Sequence, residues 1–217
     1  MLRAPPEPTR VILGGADPGR FRPDGGRREG VLFVGRLTPH KGVDRLIEAL
    51  PAGARLTVVG TGGHDRRLPA RNYPDDLRRL ARGKDVRFLG GVADDDLPEL
   101  YRRAAVLAVP SVGTTCYGRP VAVSELLGLT TIEAMASSTP VVASRLGGLA
   151  EVVVDGETGH LVEPGEPGRL RVALARLLDD PDHAGRLGAA ARRRATDLFT
   201  WDACAERCLV AYRDLLS

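Results

Sequence analysis

Apolar residues along this chain fall into short continuous runs, separated by longer stretches in which they recur every three or four positions. From residue 31 onward, VLFVG (31–35), RLTVVG (55–60), VRFLG (86–90), VLAVP (106–110) and PVVAS (140–144) read as strands, and a shorter one is centred on residues 160–162. Between them lie helical patterns. KGVDRLIEAL (41–50) sets Val43, Leu46, Ile47 and Leu50 on one face; YPDDLRRLAR (73–82), DDDLPELYRRA (94–104) and GGLAEVV follow. The remaining chain is helical over about 167–179, 182–196 and 200–216. Strands that are apolar throughout, each followed by a helix, indicate a parallel sheet covered on both faces. The expected fold class is α/β: a doubly wound parallel sheet, Rossmann-like, with closing C-terminal helices. Ligands of such sheets gather at the carboxyl ends of the strands. The loops to inspect therefore follow Val34, Val59, Leu89, Val109 and Ala143.

Residues 1–30 differ. They hold Pro5, Pro6, Pro8, Pro18 and Pro23, and only RVILGG (10–15) resembles a strand. They read as an edge strand and linker, leaving 31–217 as one domain. A hydrophobic share of 43% beside 27% charge, over 217 residues, is enough for a buried core. Thirty-one basic residues against 28 acidic ones leave a net charge of only +3, spread along the chain. The one dense run, Arg192-Arg193-Arg194, reads as a solvated helix end. With aromatics at 4%, stacked platforms for nucleic acid are not expected. Cys116, Cys204 and Cys208 lack zinc spacing and form no disulfide framework, and Cys204 and Cys208 share a helix face, where they pack. No apolar run reaches the roughly 18 residues of a membrane span, and MLRAPPEPTR has no signal-peptide character. The expectation is a cytoplasmic protein with no integral membrane segment and no nucleic-acid partner.

Four places carry candidate chemistry. In VGRLTPHKG (34–42), Gly35 lets the backbone turn closely after a strand, Arg36 sits at the strand end, and Lys41 falls at the start of the next helix. Two cations beside a helix N-terminus suit a diphosphate; the alternative is two solvated cations. Lys41 and Lys84 are the only lysines among the basic residues, which favours the site. VVGTGGHDRRL (58–68) lacks the full G-x-G-x-x-G spacing and the acidic residue of a dinucleotide site, which removes a Rossmann oxidoreductase; it reads as a tight turn bordering the site. Asp94-Asp95-Asp96 could hold a metal but precedes a helix at once and reads as its N-cap. The four histidines, 40, 64, 160 and 183, show no metal spacing.

The fourth place is SELLGLTTIEAMASSTPVV (124–142). In one continuous helix Glu125 and Glu133 would stand about 80° apart around the axis. Gly128 argues that the helix begins near Leu129. Glu125 then lies in the preceding loop and Glu133 in the second turn, with free amides at Leu129 and Thr130 between them for a phosphate oxygen. Carboxylates accept hydrogen bonds from vicinal hydroxyls. Cations, a helix N-terminus and two flanking carboxylates describe a site for a sugar nucleotide.

With VILGGADPGRF, VGRLTPHKG, VRFLGGV, LPELYRRAAVLAVPS, ELLGLTTIEAMASSTPVVAS and GGLAEVVVDGETGHLVEP in this order, the chain resembles the C-terminal, donor-binding domain of family 4 of the retaining GT-B glycosyltransferases. That resemblance implies that Arg36 and Lys41 bind the donor diphosphate without a metal. Glu125 would contact sugar hydroxyls near the reacting carbon, and Glu133 the ribose. The amides of Leu129 and Thr130 would meet the phosphates, Gly35 would line the same loop, and Gly90, Gly91 and Val92 would border the nucleobase. The implied activity is transfer of a hexosyl group from a UDP- or GDP-type donor with retention, needing no cofactor. Relative to the family, Leu127 replaces an aromatic, Ser138 replaces a glycine, and VGTTCYGRPVAVS (112–124) is longer than usual. Tyr117 and Arg119 of that loop are expected to wall the sugar or acceptor pocket, the alternative being an exposed loop. The family's N-terminal acceptor domain is absent from this sequence and is expected in trans or removed. Trp201, Cys204, Cys208, Leu209, Tyr212 and Leu215 of the last segment then seek a partner surface. The other reading is a non-catalytic module that partners another glycosyltransferase chain.

Overall fold

A computed structural model describes residues 10–62, 72–122 and 125–216. In it six strands run parallel: β1 (Glu29–Val34), β2 (Leu56–Val59), β3 (Val86–Gly90), β4 (Ala104–Val109), β5 (Val141–Ser144) and β6 (Gly159–Val162), in the order β3-β2-β1-β4-β5-β6. The alternation of a pleated strand explains the unbroken apolar runs. Val31, Phe33, Val106, Ala108 and Val142 face one core, while Leu32, Leu107, Val109, Val141 and Ala143 face the other. The first core lies under α1 (Val43–Ala49), α2 (Tyr73–Leu80) and α6 (Pro167–Asp179). The second lies under α3 (Leu97–Arg103), α4 (Leu129–Ala136), α5 (Leu149–Val152) and α7 (Pro181–Leu198). Leu46, Leu56, Leu107 and Leu174 are fully buried; truncating any one to alanine costs about 2–5 kcal/mol.

The chain moves outward from β1 to β3, then returns to β4 beside β1 and moves the other way. The β1/β4 boundary is therefore the switch point, where the following loops diverge and leave a crevice. The loop after β1 carries Gly35 to Lys41, and the loop after β4 carries Glu125.

Four expectations change. Residues 10–15 form no strand; the segment runs under the C-terminal end of the chain, where Ala16 N–H donates to Phe199 O at 2.9 Å and Ala16 bridges Thr200. Lys41 ends a 3₁₀ turn (Pro39–Lys41), and α1 starts only at Val43, because Gly42 adopts a left-handed conformation (φ 67°) between them. Asp94–Asp96 form a second 3₁₀ turn with no side-chain cap bond, since Asp96 is already in a helical conformation. Finally, the arginine run is not a solvated end. Arg192 donates to the carbonyls of Phe21, Pro18 and Ala136, and Arg194 to those of Glu151 and Val152; only Arg193 is exposed. These bonds satisfy carbonyls at the C-terminal ends of α4 and α5, which helices leave unpaired.

The last helix, α8 (Trp201–Leu216), buries only Ala211 and holds Cys204 and Cys208 half-buried. Among the described residues, no helix is long and apolar enough to cross a membrane.

Candidate donor-binding site

At the switch point the structure brings together residues that are 84 positions apart. Lys41 Nζ lies 2.7 Å from Glu125 Oε2, with the side chains only 19% and 9% exposed. Ser111 Oγ, at the end of β4, donates to the same oxygen at 3.2 Å. Both partners hold Oε2; Oε1 has no partner among the described residues. Glu125 is thus fixed on one side and open on the other.

The backbone around the pair is tightly interlocked. A Cβ on Gly42 would stand 2.0 Å from Pro110 O, so only glycine lets the Lys41 turn pack against the loop after β4. Val112 N–H donates to His40 O at 2.9 Å across the same junction. On the other flank, Gly147 (φ 53°) and Gly148 after β5 press on the carbonyls of Glu125 and Leu126, where a Cβ would come within 2.1 and 2.0 Å.

Helix α4 begins where Gly128 implies. Gly128 is left-handed at φ 80°, and its carbonyl accepts from Thr131 and Ile132. The amides of Leu129 and Thr130 have no acceptor among the described residues, and Thr131 Oγ1 in the same turn is buried without one. One turn on, Glu133 Oε2 accepts from the Tyr101 hydroxyl at 2.7 Å. Burial raises the Glu133 pKa, against the pull of the Tyr101 hydrogen bond and of Arg20, while Asp94 pushes it further up. Burial and the adjacent carboxylate lift Tyr101 well above the usual phenol value, so it remains a donor. Here too the second oxygen, Oε1, is open among the described residues.

Glu133 borders a depression of about 240 Å³, lined by Gly15, Arg20, Asp94, Leu97, Leu129 and Trp201 among others. A larger one, about 470 Å³, runs along β6 and α6 beside Arg145, His160, Arg169 and Arg176. None of the sequence-predicted residues lines it, so size alone does not mark the site.

The other predicted residues make no side-chain hydrogen bond or ion pair to Lys41 or Glu125 among the described residues. Arg36 is exposed and makes no hydrogen bond or ion pair through its side chain among the described residues. Gly35 sits at the end of β1, its N–H bonded to Val59 O at 3.0 Å. Gly91 and Val92 follow β3, but the residues that reach the Glu133 depression are Asp94 and Leu97. Tyr117 is tied to α2 by a hydrogen bond from its hydroxyl to Asp76. The glycine-rich turn is described only to Gly62; its continuation through His64 lies outside the described residues, as do Val123 and Ser124. Ser111, Tyr101, Gly147 and Gly148 were not anticipated, because their roles exist only once distant segments meet. The P-S after VLAV and the paired glycines after PVVAS were the available signals.

A family model described as "Glycosyl transferases group 1" matches residues 22–194. The chain belongs to the group 1 glycosyltransferases. It is 36% identical over 216 residues to a GDP-mannose-dependent alpha-(1-6)-phosphatidylinositol monomannoside mannosyltransferase of Mycobacterium tuberculosis, covering 89% of this chain and 52% of that protein. Among solved structures it is similar to a sucrose-phosphate synthase from Thermosynechococcus elongatus, with TM-score 0.76 and 35% identity, covering 95% of this chain and 52% of that one. It shares its fold with the C-terminal domain of a group 1 glycosyl transferase from Francisella tularensis, at TM-score 0.70 and 24% identity, covering 86% of this chain and 99% of that one. The chain spans about half the length of the curated relatives it matches. The Rossmann-like sheet and its GT-B character are thus those of the group 1 family.

Proposed function

We propose that this chain is the donor-binding half of a retaining glycosyltransferase. In this reading it binds a UDP- or GDP-type sugar and transfers the hexosyl group when combined with an acceptor-binding domain. The observation that carries the reading is the convergence of Lys41, Glu125 and the open start of α4 at the switch point. A diphosphate over α4 meets the amides of Leu129 and Thr130 and the Lys41 ammonium, and Arg36 adds charge from the rim. The open oxygen of Glu125 then receives sugar hydroxyls, and that of Glu133 receives ribose hydroxyls, each already held in place by a protein donor. As the sugar departs, negative charge grows on the diphosphate. Lys41 and the fixed amides stabilise it without a metal, a contribution whose removal typically costs about 10²–10³ in rate. The GDP-mannose dependence of the mycobacterial relative supports a nucleotide-sugar donor.

Calorimetry with GDP, UDP and their hexose conjugates, in the presence of a chelator, tests this. The parent chain is expected to bind at least one of them. Lys41→Ala should weaken every diphosphate, and Glu133→Ala should weaken nucleotides through the ribose. A parent that binds none, or variants that bind as the parent does, would overturn the reading.

A further inference from the structure

The loop between β4 and α4 is not a loose excursion. Thr114 pairs antiparallel with Pro120; Thr115 N–H donates to Arg119 O at 2.9 Å, and Val121 N–H to Gly113 O at 2.8 Å. This hairpin is described to Ala122, three positions before Glu125. Its tip is tied to the body through Tyr117, a half-buried ring packed edge-on to Tyr73 with centroids 6.3 Å apart and planes at 78°. The Tyr117 hydroxyl donates to Asp76 Oδ2 on α2.

Tyr73 continues the chain of contacts. Its hydroxyl donates to Asp44 Oδ1 at 2.5 Å and accepts from Asp44 N–H at 3.1 Å. Asp44 is buried in α1, three residues beyond Lys41. The tip of the hairpin and α1, which follows the turn bearing Lys41, are therefore fastened to the same helix, α2. At the base, the hydrogen bond from Val112 to His40 and the Gly42–Pro110 contact fasten the hairpin to that turn. The hairpin is thus held at its tip by α2 and at its base by the turn that bears Lys41.

We propose that Tyr117 is a positioning residue for the donor sugar: it pins the hairpin to α2, so that Glu125 stays on Lys41 with its second oxygen turned toward the sugar. The inference rests on the donor-site reading. It also assigns a role to a loop that neither the diphosphate nor the ribose contacts require. Releasing the tip should let Glu125 drift while leaving Lys41, α4 and Glu133 where they are. Misplacement by about 1 Å can cost a hundredfold in a positioned contact.

The test compares affinities for a nucleoside diphosphate and for its sugar conjugate, on parent, Tyr117→Ala, Tyr117→Phe and Asp76→Asn. Tyr117→Ala should lose roughly tenfold in affinity for the conjugate while changing less than about threefold for the diphosphate alone. Asp76→Asn still offers an oxygen to the Tyr117 hydroxyl and should remain near the parent. Tyr117→Phe keeps the ring on Tyr73 and should fall between; it carries the test if the alanine variant fails to fold. Equal losses for both ligands would mean a general structural role and overturn the proposal. So would an undiminished preference of Tyr117→Ala for the conjugate, or a parent that gains nothing from the sugar. A parent that binds neither ligand would instead remove the donor-site reading itself.

Discussion

Glu125 and Glu133 share one design at the level of single residues. Each has one oxygen held by buried or partly buried donors, and each leaves the other oxygen open among the described residues. For Glu125 the donors are Lys41 and Ser111; for Glu133 the donor is Tyr101. Desolvation gives Glu133 a measurable signature. A carboxyl whose folded pKa is raised contributes stability fully below its unfolded value of about 4.3, and loses that contribution as pH rises through the folded value. Glu133→Gln keeps an acceptor for Tyr101 but has no charge to bury. It should melt about 1–3 °C higher than the parent at pH 8 and nearly with it at pH 4, while losing nucleotide affinity. Equal melting differences at both pH values would contradict a desolvated carboxylate. The two glutamates, Gly128 and Lys41 were legible from spacing and from the scarcity of lysine. Their fixing partners were not. Tyr101 reads as one apolar position of a helix, and Ser111 as the end of a strand, until the fold sets them against Glu133 and Glu125.

At the level of elements, the strands and helices followed their apolar periods closely, and the misreadings lie at junctions. Gly42 delays α1 by a 3₁₀ turn, which moves Lys41 off the helix start and onto Glu125. The arginine run looked like a charged helix end because sequence does not show carbonyls; the fold supplies five for Arg192 and Arg194. Ser138 shows the same limit at a turn. As a replacement for the family's glycine it looks mild, yet the structure holds it left-handed at φ 56°, the one such non-glycine among the described residues. Its backbone is confined by α7, where a Cβ on Gly188 would meet Ser138 O at 2.2 Å. A left-handed non-glycine residue costs about 1–2 kcal/mol, partly offset by the larger unfolded-state entropy of glycine. Ser138→Gly should therefore raise stability by about 0.5–1 kcal/mol in urea unfolding, with nucleotide affinity unchanged. A destabilised variant would mean that the Ser138 side chain contributes more than its backbone costs.

At the level of the whole molecule, both ends of the described chain close on the site. Gly15 and Arg20 from the opening segment and Trp201 from α8 line the depression beside Glu133, and Arg10 pairs with Asp214 at 2.6 Å along α8. The same helix leaves Trp201, Leu209, Tyr212 and Leu215 more than half exposed, an apolar face that an acceptor-binding domain would cover in the proposed assembly. Sequence periodicity gave α8 its length and left its packing open, since its apolar positions do not form a single buried stripe. Where a nucleotide lands distinguishes the depression beside Glu133 from the larger one along β6 and α6. Residue-resolved amide shifts on titration with GDP and with UDP measure this directly. The account predicts the largest changes at Leu129 and Thr130, with smaller ones from Gly35 to Lys41 and at Trp201. Changes concentrated instead at Arg145, Arg169 and Arg176 beside β6 would contradict it.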